Sequence, residues 1–379
     1  MLLNLNDYRQ AARRKLPKFA FDYVDGGAED EVTMTENQRV FDRWQFIPPV
    51  LRASTERDLS VNWLGQRFEL PLAVAPTGYN GMLHVHADEL LAQAAADAGM
   101  PYIQSTVSTS SVEQVGALGH QNHWFQLYVL KDKRVTEDLL KRAKASGCKV
   151  LVVSVDAVHF GNRERDKRNY ARPMKLSLKS YLNIACKPNW VRRVILPQGI
   201  PGFGNLTPYL PPQYQKGVGG AAYFAEQMET HLDWDSLAWI RALWDGPMLV
   251  KGLVAPADCQ KAIQLGCDGL MLSNHGGRQL DGTVSPVLML STIRQLIGPE
   301  PLVFIDSGFR RGTDVVKALA LGANGVLLGR PLLYAMASGG PRAVSHAIQL
   351  IQSEIDRTLA QLGCRQLADL SPELLYARP

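Results

Sequence analysis

From Leu70 onward the chain repeats one unit eight times: a short, almost uninterrupted apolar run, a polar or glycine-rich step, and a stretch with helical periodicity. The apolar runs are Leu72 to Ala75, Tyr102 to Ser105, Trp124 to Tyr128, Val150 to Val155, Met248 to Lys251, Gly269 to Leu272, Leu302 to Ile305 and Gly325 to Leu328. Runs apolar on both faces suit strands of a parallel sheet covered by helices, and patterns such as Ala87 to Ala98 and Glu137 to Ser146 supply the helices. Eight such units predict an α/β fold of the closed (β/α)8 TIM-barrel type. An open doubly wound sheet is the competing architecture. It calls for a G-x-G-x-x-G after the first strand, which is missing here, and it does not explain why nearly every run ends in polar residues.

The flanks complete a single domain over residues 1–379, with an N-terminal helical cap. A helix is expected from Asn6, its cap, to Phe19, and Tyr23 follows beside the pair Gly26-Gly27, as if presented at a tight turn. The stretch from Trp44 to Glu69 is expected to close one end of the domain. The composition, 46% hydrophobic and 20% charged, can build one large core. The five cysteines are scattered without a C-x-x-C, which argues against a disulfide framework or a zinc site and for a reducing compartment. Arg9, Arg13 and Arg14 interrupt the apolar pattern of the first residues, which reads as an amphipathic helix rather than a signal peptide, and no apolar run reaches the roughly 20 residues of a membrane span.

Roughly ninety residues separate the fourth run from the fifth, far more than a βα connection needs. Residues 167–225 carry nine Lys or Arg and no Asp or Glu; without those nine, acids outnumber bases 36 to 32. Within this stretch residues 177–215 mix apolar side chains with Tyr181, Trp190, Tyr209 and Arg192-Arg193, the composition of a monotopic membrane contact. A mobile lid or an oligomer interface is the alternative. Pro188, Pro197, Pro201 and Pro208 exclude a continuous spanning helix.

If the barrel closes, its strand ends meet at one cavity. They bring Pro76-Thr77-Gly78, Ser105-Thr106, Gln126-Leu127-Tyr128 and Ser154-Val155-Asp156, hydroxyls and amides suited to a flat heteroaromatic ligand. Lys251 ends the fifth run, where burial demands an anionic partner or a structural salt bridge. Asp306-Ser307-Gly308-Phe309-Arg310 and Gly329-Arg330 end the seventh and eighth, the corner where barrels bind phosphate. The sixth run leads into Ser273-Asn274-His275-Gly276-Gly277-Arg278-Gln279-Leu280-Asp281-Gly282, where two glycines let a histidine and an arginine face one cavity.

This last motif resembles the signature of the FMN-dependent 2-hydroxy acid dehydrogenases and oxidases, and the resemblance runs through nearly the whole chain. It implies FMN as cofactor, held by Pro76, Thr77, Gly78, Ser105, Gln126, Ser154, Lys251, Ser273, Asp306, Gly308, Arg310, Gly329 and Arg330. It implies His275 as catalytic base with Asp156 orienting it, Tyr128 at the substrate, and Lys251 stabilising charge on the reduced ring. Tyr23, Arg163 and Arg278 would hold the substrate carboxylate; the family's arginine lies seven residues after its aspartate, which selects Arg163 over Arg165. No metal is implied. The runs Asn162 to Asp166, Ile305 to Gly312 and Ile355 to Gln361 look more like the membrane-associated, mandelate-oxidising members than the lactate-oxidising ones. Position 107 is valine where some glycolate-type relatives have tryptophan, leaving room for an aryl group. The expected reaction is therefore oxidation of an (S)-2-hydroxy acid, (S)-mandelate first and lactate second, with electrons passed to a membrane quinone or, in an oxidase, to oxygen. The resemblance further implies a homo-oligomer on the inner, cytoplasmic face of the cell membrane, with no nucleic-acid partner. An FMN-dependent isomerase is the alternative of another class.

Overall fold

The computed structural model describes residues 1–52, 55–172, 175–215, 223–224 and 226–378. At its centre eight parallel strands close into a barrel: β1 (Leu72–Val74), β2 (Tyr102–Ser105), β3 (His123–Leu127), β4 (Leu151–Ser154), β5 (Met248–Leu253), β6 (Gly269–Leu272), β7 (Leu302–Ile305) and β8 (Gly325–Leu328), with Val326 to Leu328 pairing back to β1. The eight apolar runs are these eight strands, with ends shifted by a residue or two. Alternate side chains fill the barrel, among them Ala73, Ile103, Trp124, Val152, Leu249, Met271, Phe304 and Leu327. A hairpin of Val61–Trp63 and Gln66–Phe68 plugs the amino-terminal mouth. Its Trp63 ring lies 4.7 Å from that of Phe304, against Gly325, where a Cβ would sit 2.5 Å from the indole. The Trp44-to-Glu69 stretch thus supplies the expected closure.

The single N-terminal helix expected from Asn6 to Phe19 is two. Asn4, not Asn6, caps α1 (Leu5–Lys15), its side chain accepting from the Asp7 amide at 3.0 Å. Leu16 is extended because the residue before a proline is driven out of the helical region, and α2 (Lys18–Asp25) starts after Pro17. Arg9 of α1 joins Asp25 of α2 at 2.6 Å, and the Tyr334 hydroxyl donates to the same carboxylate at 2.6 Å. Tyr23 consequently projects from the last turn of α2, not from a glycine turn.

Between β4 and β5 the insertion folds as short pieces: Leu178–Ala185, Pro188–Trp190, the wider turn Val191–Ile195 and Leu196–Gln198. Its inner side is pinned to the strand-end loops. The Trp190 indole donates to the Met82 carbonyl at 2.9 Å, Gln198 to Gly81 at 2.7 Å, and Asn205, wholly buried, donates to Ser105 and Thr106 carbonyls at 3.1 and 3.3 Å. Its outer side exposes Leu178, Tyr181, Leu182, Leu196 and Ile200. Among the described residues no helix is long and apolar enough to cross a membrane. Lys216, one of the nine basic residues of the acid-free stretch, lies outside the described residues.

Candidate active site

A cavity of about 270 Å³ opens at the carboxyl ends of the strands. Its central feature is the turn after β6. His275, Gly276 and Gly277 all take positive φ, at 58°, 65° and 73°. Glycine is required at the second and third positions, where a Cβ would lie 2.6 Å from Arg330 Nη1 and 2.6 Å from the Met34 amide nitrogen. The left-handed coil turns both His275 and Arg278 into the cavity.

His275 Nδ1 lies 3.1 Å from both carboxylate oxygens of Asp156, and Nε2 lies 3.3 Å from the Tyr128 hydroxyl. Asp156 reaches the ring because Gly252, at φ 105°, leaves the space; a Cβ there would be 2.4 Å from the carboxylate carbon. Burial lowers the pKa of His275, and although Asp156 pulls the other way, the balance stays below the ordinary imidazole value. The ring is therefore neutral at pH 7 and able to accept a proton. Burial pushes Asp156 upward, but its electrostatic contact and hydrogen bond with His275, together with Lys251, hold it below the usual carboxylate range.

Opposite the histidine, Arg278 donates through Nη1 to the Tyr23 and Gly26 carbonyls at 2.7 and 2.9 Å and lies 5.3 Å from the Tyr23 ring. Arg163 Nε donates to the Arg278 carbonyl at 3.3 Å, and both residues line the cavity. Burial, reinforced by Arg163 and Arg330, brings the Arg278 pKa down to about 9. Asp306 is the one acid among the described residues lining the cavity, so an anion is the complement that this side lacks. Arg165 faces elsewhere, tied to Asp25 at 2.5 Å and Glu31 at 3.3 Å beneath the site. The Tyr23 hydroxyl donates to the Gly78 carbonyl at 3.3 Å.

The floor carries Lys251, whose ammonium meets Asp306 at 3.0 Å and Ser273 Oγ at 2.8 Å. Burial of Lys251 demands an anionic partner, and the chain itself provides one in the salt bridge to Asp306. At the phosphate-type corner, Gly308 (φ 96°) abuts the Asn37 carbonyl, with no room for a Cβ. Arg330 spends three donors on the carbonyls of Val24, Gly276 and Gly26, at 3.1, 2.7 and 2.9 Å, so it also holds the α2 end and the histidine turn together. Arg310 Nε and Gln126 Nε2 are buried donors without a partner, one at this corner and one behind Ser105. Buried donors of this kind are completed by a ligand or ordered water, and an anion and a carbonyl-bearing ring are the complements they fit.

Of the residues expected at the site, Tyr23, Pro76, Thr77, Gly78, Ser105, Tyr128, Arg163, Lys251, His275, Arg278, Asp306, Gly308, Arg310, Gly329 and Arg330 line the cavity. Asp156, Gln126, Ser154 and Ser273 stand one layer behind: Asp156 against the His275 ring, Ser273 donated to by the His275 amide at 2.9 Å, and Ser154 of β4 in register with Lys251 of β5. Phe160, Phe203 and Phe224 also line it and were not foreseen. They come from the loop after β4 and the long insertion, which have no strand-end position to mark them.

The sequence model described as FMN-dependent dehydrogenase matches residues 12–377. The chain belongs to this family. Its FMN dependence is therefore that of the family, and the protein is an enzyme of the FMN-dependent 2-hydroxy acid dehydrogenase and oxidase group. It is 41% identical to (S)-mandelate dehydrogenase of Pseudomonas putida over 375 residues, covering 99% of this chain and 94% of that protein. It is 38% identical to an L-lactate oxidase of Nostoc, over 99% of this chain and 98% of that one, and 38% identical to an L-lactate dehydrogenase of Ectopseudomonas mendocina, over 97% of each. Its fold superposes on the crystal structure of the monotopic membrane protein (S)-mandelate dehydrogenase with a TM-score of 0.95 at 40% identity, all of both chains being covered. A soluble mutant of the membrane-associated enzyme from Pseudomonas putida gives 0.84 at 39% identity, again over all of both chains.

Proposed function

We propose that this family member oxidises (S)-2-hydroxy acids with a preference for (S)-mandelate over (S)-lactate, releasing the 2-oxo acid. The observation that carries this reading is the cavity's asymmetry: two guanidinium groups with no carboxylate in ion-pair contact among the described residues, a neutral histidine backed by an aspartate, and an apolar wall of Val107, Phe160, Phe203 and Phe224. Arg163 and Arg278, with the Tyr23 hydroxyl, hold the substrate carboxylate, which fixes the orientation of the α-carbon. The aryl group then rests on the phenylalanine wall. His275 Nε2 takes one proton from the substrate, at the α-carbon or at the hydroxyl, and the adjacent Tyr128 hydroxyl hydrogen-bonds the reacting oxygen. Asp156 stabilises the imidazolium so formed and keeps the ring turned toward the substrate. Bound FMN would supply a two-electron acceptor for the substrate, to be reoxidised by a second acceptor that we take to be a membrane quinone. Ser105, Gln126, Lys251, Arg310 and Arg330 would hold the ring and phosphate, the orphaned donors of Gln126 and Arg310 among them.

The exposed apolar face of residues 177–215 supports docking on a membrane surface, as does the likeness to a monotopic membrane protein, and we take the cytoplasmic side of the cell membrane to be the side it meets. L-Lactate is the second reading, favoured by the lactate-named relatives at 38% identity. Steady-state turnover of (S)-mandelate, (S)-lactate and glycolate, each with a soluble quinone and with oxygen, separates them. Mandelate should give the highest kcat/KM and quinone the faster reoxidation. Equal efficiency on lactate and mandelate would sink the aryl preference, and oxygen outrunning quinone would make the enzyme an oxidase.

A further inference from the structure

A second cavity, of about 450 Å³, lies apart from the one described above. Four segments enclose it: the end of α1, the loop at Leu83-His84, insertion residues between Cys186 and Val194, and the end of helix Arg330–Gly339. No acid lines it. Its basic groups are Arg14, Lys15, Lys187, Arg193 and His84, beside the polar Asn189 and Ser338, and its floor is apolar, with Leu16, Trp190, Val194 and Met336. Two of the cations are already committed. The Lys15 ammonium donates to the Ser338 carbonyl and that of Lys187 to the Arg14 carbonyl at 2.5 Å, and both thereby neutralise the carbonyl ends of helices. The guanidinium groups of Arg14 and Arg193 have no hydrogen-bond or ion-pair partner among the described residues. Both residues are exposed at the rim of the recess, where their N–H donors are free to meet an anion.

We propose that this recess binds the phosphate of an anionic phospholipid headgroup, Arg14 and Arg193 gripping the phosphate while the glycerol backbone rests on the apolar floor. The proposal depends on the reading that the insertion meets a membrane. The position of the recess selects a lipid over a free phosphate. The same insertion that forms one wall exposes Leu178, Tyr181 and Leu182 on one helix face, and Leu196 beyond Arg193, so acyl chains leaving the recess meet apolar side chains. Paired guanidinium groups suit a phosphate oxygen pair in a way that scattered lysines do not. Binding there would clamp α1, the insertion and helix Arg330–Gly339 together; that helix begins at Arg330, so the membrane and the cofactor corner are joined by one rigid element of about 15 Å.

Cys186 supplies the test, since it lines the recess and is the one exposed cysteine among the five. Maleimide labelling of Cys186 in the FMN-loaded full-length enzyme should slow on the order of tenfold when dihexanoyl phosphatidylglycerol is present, as monomers, at ten times its Kd. Dihexanoyl phosphatidylcholine should protect far less, and inorganic phosphate at the same concentration not at all. Arg14→Ala/Arg193→Ala should label at the unprotected rate with every lipid while oxidising hydroxy acid with a soluble dye at the wild-type rate. Equal protection by the phosphatidylcholine would remove anion recognition from the site, equal protection by phosphate would make it a free-anion site, and no protection by any would overturn it. If the enzyme binds vesicles of phosphatidylglycerol or phosphatidylcholine yet the cysteine is never shielded, the recess is wrong and the membrane reading stands; if it binds neither kind of vesicle, the membrane reading itself fails.

Discussion

Gly252→Ala is a substitution outside the cavity lining that should disable the base at His275. The new Cβ would lie 2.4 Å from Asp156 Cγ and 2.7 Å from Oδ1. Non-bonded carbons rest at about 3.5 Å, so the carboxylate must retreat by about 1 Å, which stretches the 3.1 Å contact to His275 Nδ1 beyond hydrogen-bond range. A hydrogen bond to a charged group contributes about 1.5–3 kcal/mol, and the bond to Asp156 strengthens only as the ring becomes charged in the reaction. At about 1.4 kcal/mol per decade the expected loss in kcat/KM is roughly 10- to 150-fold. A further ~1–2 kcal/mol of fold stability is lost to the positive φ of 105° at this position. The assay is stopped-flow reduction of the bound flavin by (S)-mandelate, with the absorbance of the resting enzyme as a check that FMN is retained. Asp156→Asn should cost at least as much, and the double variant little more than Asp156→Asn alone, because both act on one contact. A yellow, folded Gly252→Ala enzyme reducing at the wild-type rate would refute the argument that this glycine exists to admit Asp156.

The pH profile offers a second check. His275 must be neutral to act, and burial sets its pKa below the ordinary 6.5, so kcat/KM should hold through neutrality and fall only below that value. Since Asp156 raises that pKa, Asp156→Asn should move the acid limb to still lower pH; a limb above 6.5 in the wild type would contradict the assignment. Arg278→Leu should lower kcat/KM for (S)-mandelate by roughly 10- to 150-fold but leave uncharged mandelamide nearly unaffected, since the lost group pairs with the carboxylate. Arg330→Ala should release FMN, measured by flavin fluorescence on dilution, and should also slow reduction in whatever enzyme remains loaded, because Arg330 fastens the Gly276 carbonyl behind the base.

What the sequence could disclose follows from periodicity. The eight strands were legible because each is apolar on both faces, and the strand-end residues were legible because a barrel gathers them by construction. His275, Gly276, Gly277 and Arg278 formed a readable unit because positive φ leaves a compositional trace. The break at Pro17 was readable in principle from the proline itself, yet the amphipathic pattern of α1 runs past it. Phe203 and Phe224 were invisible, since insertion residues reach the cavity only through contacts such as Asn205 to Ser105 and Tyr79 to Pro201, and neither has a sequence period. Asp306 pairing with Lys251 was likewise hidden: Lys251 on β5 and Asp306, just past β7, meet over the end of the intervening β6, and sequence separation does not set that distance.

The most direct measurement of the central claim is anaerobic mixing of the purified enzyme with (S)-mandelate while the flavin band is followed. The yellow band should bleach in the wild-type protein and persist in His275→Ala, which should purify equally yellow. A protein that never carries the nucleotide, or a His275→Ala variant that bleaches as fast as the wild type, would contradict it.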